Sequence, residues 1–187
     1  MVKHEYEICE IFKSFQGEGL FTGLPCVFVR LAGCNLKCDF CDTDHMVSKK
    51  LTMQEIEEEI ISLVPDISFV VFTGGEPLLQ LKEDDPCKIP DCSFNVETNG
   101  TVSKIPSWIH HVTCSPKIVG IYCEADEYKI LADENFEGHY QLLKDKPNVQ
   151  VQPLDFNNKM NWEEALELAW KYKLAISFQV HKLIGAR

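Results

Sequence analysis

Hydrophobic and polar positions alternate in short runs along this chain, and the runs predict a series of β-strands. Residues 4–13 alternate apolar with polar side chains, whereas residues 26–32 are almost continuously apolar and indicate a buried strand. A second strong apolar run covers residues 69–73. Shorter apolar runs predict further strands at 94–97, 112–114, 128–131, 149–152 and 176–180.

Two stretches have the period of an amphipathic helix instead. Thr52 and Glu55 have the spacing of a capping box, which predicts a helix from there to about Leu63, and Pro65 would end it. The second helix is predicted at 162–172. Its expected apolar face consists of Ala165, Leu166, Ala169 and Trp170.

This alternation of strands and helices predicts an α/β fold. Almost every predicted strand ends in a polar or glycine-rich cluster, as in barrels whose sites lie at the carboxyl ends of the strands. The 187 residues are too few for a full barrel of roughly 250 residues, and the 81–93 connection is too short and polar for a crossover helix. We therefore expect a single domain over 1–187, built as a partial, compacted TIM-like (β/α)6 barrel.

Composition narrows the class of partner. The formal net charge of −11 argues against a nucleic-acid partner, because nucleic-acid binding depends on Lys and Arg that neutralise phosphates. No apolar run approaches the roughly 18 residues of a membrane span, and the first residues lack the apolar stretch of a secretory signal. The expected partner is a small molecule, and the expected location is the cytoplasm.

Cys34, Cys38 and Cys41 form the most informative motif of the chain. Three thiolates on one short loop can hold three corners of a cubic iron–sulfur cluster and leave the fourth iron open to a reacting ligand. An alternative is a zinc site completed from elsewhere, since structural zinc takes four closed ligands. Cys87 and Cys92 are a weaker candidate for a second metal site, and in a reducing compartment the remaining cysteines are expected as thiols.

A turn of Gly74, Gly75, Glu76 and Pro77 follows the second strong strand. Two glycines let a ligand approach the backbone closely, and a carboxylate can accept a hydrogen bond from an ammonium or hydroxyl group. A simple tight turn explains the same residues. The ligand-binding interpretation is favoured because the turn lies downstream of the three-cysteine loop.

Together these two motifs resemble the radical S-adenosylmethionine superfamily. The resemblance implies a [4Fe–4S] cluster on Cys34, Cys38 and Cys41, whose open iron binds the methionine end of S-adenosylmethionine. Reductive cleavage of the sulfonium then supplies a radical that abstracts hydrogen from a substrate. In such enzymes the cofactors carry the difficult chemistry, while the protein supplies position and excludes water.

Further motifs narrow the resemblance to one family. In order along the chain these are 15–19, 41–43, 73–77, 97–100, 115–117, 152–155 and the pair His181 and Lys182. They resemble the 7-carboxy-7-deazaguanine synthase family over essentially the whole chain. The resemblance implies a lyase that contracts the ring of 6-carboxy-5,6,7,8-tetrahydropterin with loss of ammonia, on the route to queuosine and other 7-deazapurines.

The same resemblance implies where S-adenosylmethionine binds. Phe40 is expected near the adenine, and Gly75 near the methionine end. The full expected set is Phe40, Gly74, Gly75, Glu76, Ser115, Pro116, Lys117, Gln152 and Asp155.

The pterin pocket is implied in the same way. The expected set is Phe15, Gln16, Gly17, Glu18, Arg30, Thr73, Glu97 and the terminal carboxylate of Arg187. A guanidinium can pair with the substrate carboxylate, while Gln and Glu can read the donors and acceptors of a pterin edge. Alternatives are a structural ion pair for Arg30 and a turn cap for Glu97.

Thr43 is implied to bind a Mg²⁺ ion that also contacts the substrate. One hydroxyl is a poor site alone, but Mg²⁺ keeps waters and takes other ligands from a substrate. The alternative for Thr43 is a helix or turn cap. The family also implies a homodimer and an electron donor such as flavodoxin.

Two other functions are alternatives to the synthase that this resemblance implies. A glycyl-radical activating enzyme has a similar size and cluster loop, but it would have no need of Gln16, Glu18 or Thr43 in these contexts. A zinc-binding module without catalysis would explain the cysteines alone.

Overall fold

The computed structural model of the protein describes residues 4–41, 43, 46–156 and 159–185. Within these ranges, no helix is long and apolar enough to cross a membrane. The described strands are β1 (Glu5–Phe15), β2 (Pro25–Leu31), β3 (Lys49–Thr52), β4 (Phe69–Gly74), β5 (Ser93–Thr98), β6 (His111–Cys114), β7 (Glu127–Leu131), β8 (Val149–Gln152), β9 (Asp155–Phe156), β10 (Lys159–Met160) and β11 (Ala175–Ile176). The described α-helices are α1 (Met53–Leu63), α2 (Phe136–Leu143), α3 (Trp162–Tyr172) and α4 (Val180–Ile184), and short 3-10 helices cover Gly19–Phe21 and Pro77–Leu79.

One mixed sheet forms the frame of the described structure. Its strand order is β11-β8-β7-β6-β5-β4-β2-β1-β3. The strands from β2 to β11 in this order pair in parallel, and β1 and β3 complete one edge in antiparallel. The predicted partial barrel of parallel strands is therefore confirmed. The last strand is shorter than predicted, because 176–180 was expected to be extended but Val180 begins α4.

The two faces of this sheet differ in chemistry. On one face, residues such as Val70, Phe72, Phe94 and Val96 join the main apolar core beneath the helices. The opposite face carries a small apolar cluster that includes Phe12 and Phe28, followed by polar side chains. These polar side chains are Arg30, Thr73, Glu97, Thr113, Lys129, Gln150 and Gln152. The strand alternation therefore collects polar groups on the face turned away from the helices.

Helices cover this sheet incompletely. In the described chain, no α-helix lies between β4 and β5, between β5 and β6, or between β6 and β7. The 81–93 connection covers the core instead, through buried Leu81, Cys87, Ile89 and Cys92. Burial raises the pKa of Cys87 and raises that of Cys92 to about 11, so both thiols are protonated core side chains at neutral pH. Among the described residues, no group of three potential metal ligands occurs at this connection, so the structure gives the second metal site no support.

The predicted capping box at the start of α1 is confirmed. Thr52 Oγ1 accepts from Glu55 N, and the Glu55 carboxylate accepts from Thr52 N at 2.7 Å. In α3, however, only part of the expected apolar face is buried. Ala165 and Ala169 pack into the core, whereas Leu166 is exposed and Trp170 is 83% exposed. That helix therefore packs on a narrower stripe of small residues than predicted.

The segment after β1 crosses the amino end of the parallel strands. Phe21 packs against Phe69 and His111, the first residues of β4 and β6. Buried Glu127 accepts from Leu20 N at 2.9 Å, and Gly19 has φ +66°. A Cβ on Gly19 would lie 2.5 Å from Glu127 Oε1. This segment thus closes one end of the polar face and leaves the other end open for ligands.

Candidate active site

The three-cysteine loop follows β2 at the carboxyl end of the parallel strands. Cys34 and Cys38 are half-buried and Cys41 is exposed, and all three are thiols rather than parts of disulfides. Cys34 Sγ accepts from Leu36 N at 3.4 Å, and Cys41 N donates to Cys38 O at 3.1 Å. The loop is therefore folded back on itself with its thiols on one side.

These thiols influence one another electrostatically. Burial raises the pKa of Cys38, Lys117 lowers it, and Cys41 and Cys34 raise it further. In the described residues, no three His, Cys, Asp or Glu side chains converge on the position of a single metal ion. The three thiols do line one cavity, and the thiolate ligands of a cubic cluster bind three different irons.

Gly74 and Gly75 lie against the cysteine loop. Gly75 N donates to Leu31 O at 3.1 Å, and Glu76 N donates to Gly33 O at 3.0 Å. A Cβ on Gly75 would lie 1.8 Å from the Gly33 carbonyl oxygen. Only glycine allows this approach, which holds the end of β4 beside Cys34.

Glu76, which was expected to help hold S-adenosylmethionine, is not among the residues that line the cavity beside the three thiols. Its side chain is fully buried, and its carboxylate accepts from Leu78 N, Thr98 Oγ1 and Asn99 N at 2.7–3.1 Å. Burial raises its pKa, although these hydrogen bonds oppose the rise. The carboxylate therefore links the loop after β4 to the loop after β5 through hydrogen bonds in the interior.

Replacing Gly75 with alanine is expected to lower iron content and S-adenosylmethionine cleavage by about tenfold or more, because the new methyl group displaces the Gly33 backbone. Iron analysis and anaerobic cleavage assays measure both quantities. Gly138→Ala is the matched control, since its Cβ would meet only Val119 methyl groups at about 3.0 Å. Normal iron content and cleavage in Gly75→Ala would contradict the assigned contact.

A first cavity, which we call the cluster-side pocket, opens beside the three thiols. Its lining residues are Cys34, Leu36, Cys38, Phe40, Cys41, Thr43, Gly74, Gly75, Asn99, Lys117, Leu131, Gln152, Pro153, Leu154, Asp155, Gln179 and Lys182. Lys117 Nζ lies 5.6 Å from the Phe40 ring centroid and donates to Ser115 Oγ at 2.8 Å. Ser115 thus lies behind Lys117, and Pro116 lines a neighbouring cavity.

Two acceptors in this pocket have no hydrogen-bond partner among the described residues. They are Asp155 Oδ1 and Gln179 Oε1, both buried. The other oxygen of Asp155 accepts from Lys182 Nζ at 2.7 Å. Buried unsatisfied acceptors are costly, so the pocket fits a ligand with hydroxyl or amine donors, such as the nucleoside of S-adenosylmethionine.

A second and larger cavity of about 720 Å³, the inner pocket, lies along the polar face of the sheet. Its lining residues are Cys9, Glu10, Phe12, Phe15, Gln16, Glu18, Phe28, Arg30, Thr43, Met46, Val47, Ser48, Thr73, Glu97 and His181. Thr43 lines both cavities, so the two pockets meet at this residue.

Arg30 stands at this junction. Its Nε donates to Glu10 Oε1 at 2.9 Å, its Nη1 lies 3.5 Å from Thr43 Oγ1, and its guanidinium lies over the Phe12 ring. The expected alternative of an ion pair is thus also present, with Glu10 as partner. The guanidinium still faces the cavity and can bind a carboxylate there.

Glu97 is held by side chains rather than by a turn. Gln16 Nε2 donates to Glu97 Oε1 at 3.0 Å, and Thr73 Oγ1 donates to Glu97 Oε2 at 2.9 Å. The side-chain oxygen Oε1 of Gln16 accepts from Glu18 N at 3.1 Å, which fixes the orientation of the side-chain amide. The inner pocket thus presents a charged acceptor in a defined position.

Comparison with known proteins agrees with this geometry. Residues 28–135 match the Radical SAM superfamily. The chain is 40% identical to a 7-carboxy-7-deazaguanine synthase from Bacteroides thetaiotaomicron, over 97% of this chain and 98% of the relative. The chain belongs to the 7-carboxy-7-deazaguanine synthase family.

Other relatives give the same answer. A 7-carboxy-7-deazaguanine synthase from Haemophilus influenzae is 34% identical over 97% of this chain and 96% of the relative. The crystal structure of QueE from Escherichia coli superposes with a TM-score of 0.73 at 26% identity, over 95% of each chain. As a radical S-adenosylmethionine enzyme, this member of the family uses a [4Fe–4S] cluster and S-adenosylmethionine, and the three thiols and the adjoining pocket fit them.

Most residues that the family resemblance had singled out line one of the two pockets, and among the described residues Gly17, Glu76, Ser115 and Pro116 do not. Gly17 lies beside the inner pocket, where a Cβ would come within 2.0 Å of His181 Nδ1. Gly17 O also accepts from Val180 N at 2.9 Å, so this glycine lets α4 pack closely and brings His181 to the pocket. Arg187 lies outside the described residues.

Three residues at the two pockets were not predicted as site residues from the sequence. Asn99 and Gln179 line the cluster-side pocket, and Lys129 lies beneath the inner pocket. The alternation in β7 could have revealed Lys129, because Glu127 and Lys129 share one face while Tyr128 and Ile130 share the other. The position of Gln179 depends on the packing of α4, which no local pattern predicts.

Proposed function

We propose that this chain converts 6-carboxy-5,6,7,8-tetrahydropterin to 7-carboxy-7-deazaguanine with loss of ammonia. Membership of the family supports this reaction. The observation that carries it is the junction of two pockets at Thr43, one containing the cysteines and the other a guanidinium and three carboxylates. Such a junction suits hydrogen abstraction from an anionic heterocycle beside the cofactor.

In the cluster-side pocket, Cys34, Cys38 and Cys41 would bind the [4Fe–4S] cluster, and Gly75 would admit the methionine end of S-adenosylmethionine. Asp155 and Gln179 offer their unsatisfied oxygens to the nucleoside. When bound, the cluster and S-adenosylmethionine supply the electron and the radical that remove a hydrogen atom. The protein contributes orientation, since a fixed geometry removes much of the entropic cost of the step.

In the inner pocket, Arg30 would bind the substrate carboxylate, because a guanidinium and a carboxylate form paired, charge-assisted hydrogen bonds. Glu97, Gln16 and Glu18 would read the pterin edge, which carries N–H donors. Phe12 and Phe28 provide an apolar wall for the ring. This orientation points the substrate's C6, which bears the carboxylate, toward Thr43 and the cluster-side pocket.

We also propose that Thr43 provides one oxygen to a Mg²⁺ ion at the junction. The 3.5 Å separation of Arg30 Nη1 and Thr43 Oγ1 supports this, because one substrate carboxylate can then contact both the guanidinium and the metal. The remaining ligands would be water and substrate oxygens, as Mg²⁺ commonly keeps several waters.

Thr43→Ala is therefore expected to remove the dependence of turnover on Mg²⁺ and to lower turnover by about tenfold or more, while iron content stays normal. Titrating Mg²⁺ into a metal-free assay measures this. Thr43→Ser keeps the hydroxyl and should keep the response. An unchanged Mg²⁺ response in Thr43→Ala would show that the metal binds elsewhere.

The reaction itself is tested with anaerobically reconstituted enzyme, substrate, S-adenosylmethionine, reductant and Mg²⁺. We expect 7-carboxy-7-deazaguanine and ammonia in equal amounts, detected by mass spectrometry and an ammonia assay. Formation of a glycyl radical on an added protein, without product from the pterin, would favour an activating enzyme instead.

We further propose that the chain works as a homodimer and takes its electron from a donor such as flavodoxin. Both proposals rest on the family resemblance. Sedimentation analysis of the reconstituted enzyme tests the dimer, and replacement of the chemical reductant by reduced flavodoxin tests the donor.

A further inference from the structure

Lys129 is a buried cation that has no assigned role in the proposed reaction. Its side chain is 5% exposed, and its Nζ donates to Glu18 Oε2 and lies 3.9 Å from Glu97 Oε1. Both carboxylates line the inner pocket, whereas Lys129 does not. The cation therefore lies beneath the pocket and between two of its acceptors.

Two carboxylates in one pocket tend to share a proton unless a cation separates them. Burial alone would raise the pKa of Glu18, but Lys129, with Gln179 and His181, lowers it to about 2. Burial also lowers the pKa of Lys129, and Glu18 and Glu97 more than reverse that effect. Glu18 and Lys129 thus stabilise each other in their charged forms, and the Glu97 carboxylate lies 3.9 Å from the same Nζ.

Among the charges around Glu18, Lys129 lowers its pKa most and His181 contributes less. The other charged neighbours of Lys129 are Glu127, on the same strand, and Lys117. Glu127 is engaged by Thr113, Leu20 N, Gln150 and the nearby His111. Glu18 also has Gln179 as a donor, at 2.7 Å. Glu97 is bonded by Gln16 and Thr73, which are uncharged.

We propose that Lys129 is a positioning residue that keeps Glu18 and Glu97 together as carboxylates, so that the inner pocket offers paired acceptors to a ring edge bearing N–H donors. This inference rests on the proposed function for the identity of that ring. It explains why a charged lysine occupies the polar face of β7, where an unpaired cation would be costly. Lys129 acts through the two glutamates and does not touch the substrate.

Lys129→Met removes the charge and keeps the length of the side chain, and Lys129→Arg is the matched variant that keeps the charge. For Lys129→Met we expect a KM for the pterin about tenfold or more above that of the unmodified enzyme at neutral pH. The ratio of the two KM values should fall as the pH rises, by up to about tenfold per pH unit, because the shared proton is then lost. Lys129→Arg should restore a pH-independent ratio.

Cleavage of S-adenosylmethionine without pterin checks that the variants keep their cluster and fold. A raised but pH-independent KM ratio in Lys129→Met, or an unchanged KM, would overturn the proposal. If Lys129→Met does not fold, Glu18→Gln is compared with the double variant Glu18→Gln, Lys129→Met. Glu18→Gln leaves no second carboxylate to share a proton with Glu97, so an equal KM in the double variant supports the proposal, and a higher KM contradicts it.

Infrared spectroscopy of the substrate-free protein separates this proposal from the proposed function. Relative to the unmodified enzyme and to Lys129→Arg, Lys129→Met should gain an additional protonated carboxyl C=O band at neutral pH. The band needs no turnover, so it tests the role of Lys129 even if the pterin is not the substrate. Absence of the band in folded Lys129→Met would contradict the role of Lys129 alone.

Discussion

Replacing Cys38 with alanine is expected to abolish reductive cleavage of S-adenosylmethionine and to remove most of the iron. Cys38 is the middle residue of the three-thiol loop, and its side chain faces the cluster-side pocket beside Phe40 and Lys117. A cubic cluster that keeps only two protein thiolates is poorly retained, and the electron it supplies is then lost. Iron and sulfide analysis with an anaerobic assay for 5′-deoxyadenosine measures the loss.

Cys92→Ala is the matched control for this variant. Cys92 lies in the apolar core beneath the 81–93 connection and is absent from both pockets. Its replacement should cost about 1 kcal/mol of folding free energy and leave iron content unchanged. Equal iron content in Cys38→Ala and Cys92→Ala would show that the cluster is bound by other residues.

Replacing Arg30 with methionine should raise the KM for the pterin by about 100-fold, since a lost charge-assisted pair costs about 3 kcal/mol. S-adenosylmethionine cleavage in the absence of substrate should stay normal, because Arg30 lines only the inner pocket. Steady-state kinetics with varied pterin measures the change. Arg30→Lys keeps the charge but not the fork of donors, so it should recover only part of the affinity.

The ion pair of Arg30 with Glu10 requires a second control. Arg30→Met leaves the Glu10 carboxylate without this partner, which could itself repel an anionic substrate. Adding Glu10→Gln to Arg30→Met removes that repulsion. If the double variant recovers the KM of the unmodified enzyme, Arg30 serves only to neutralise Glu10 and does not bind the substrate carboxylate.

The sequence predicted much of the frame because its signals are local. The capping box of Thr52 and Glu55 and the apolar run at 69–73 depend on neighbouring residues, and the structure contains both features. The cluster-binding loop could also be predicted, since its three cysteines lie within a segment of eight residues. Local spacing therefore located the cluster-side pocket.

The remaining features depend on contacts between distant parts of the chain. The turn sequence predicted that Glu76 is available to a ligand, but its carboxylate is hydrogen-bonded to Thr98 and Asn99 in the interior. Trp170 fits the helical period of α3, yet no described element covers it, and it stays 83% exposed. The pairing of Lys129 with Glu18 joins residues 111 positions apart, so no motif could predict it.

In the proposed complex, the substrate's C6 lies at the junction of the two pockets, next to the site of S-adenosylmethionine cleavage. Turnover of 6-carboxy-5,6,7,8-tetrahydropterin labelled with deuterium at C6 tests this placement. We expect the deuterium to be recovered in 5′-deoxyadenosine or in S-adenosylmethionine, together with unlabelled 7-carboxy-7-deazaguanine. Formation of the product without transfer of deuterium to either molecule would contradict it.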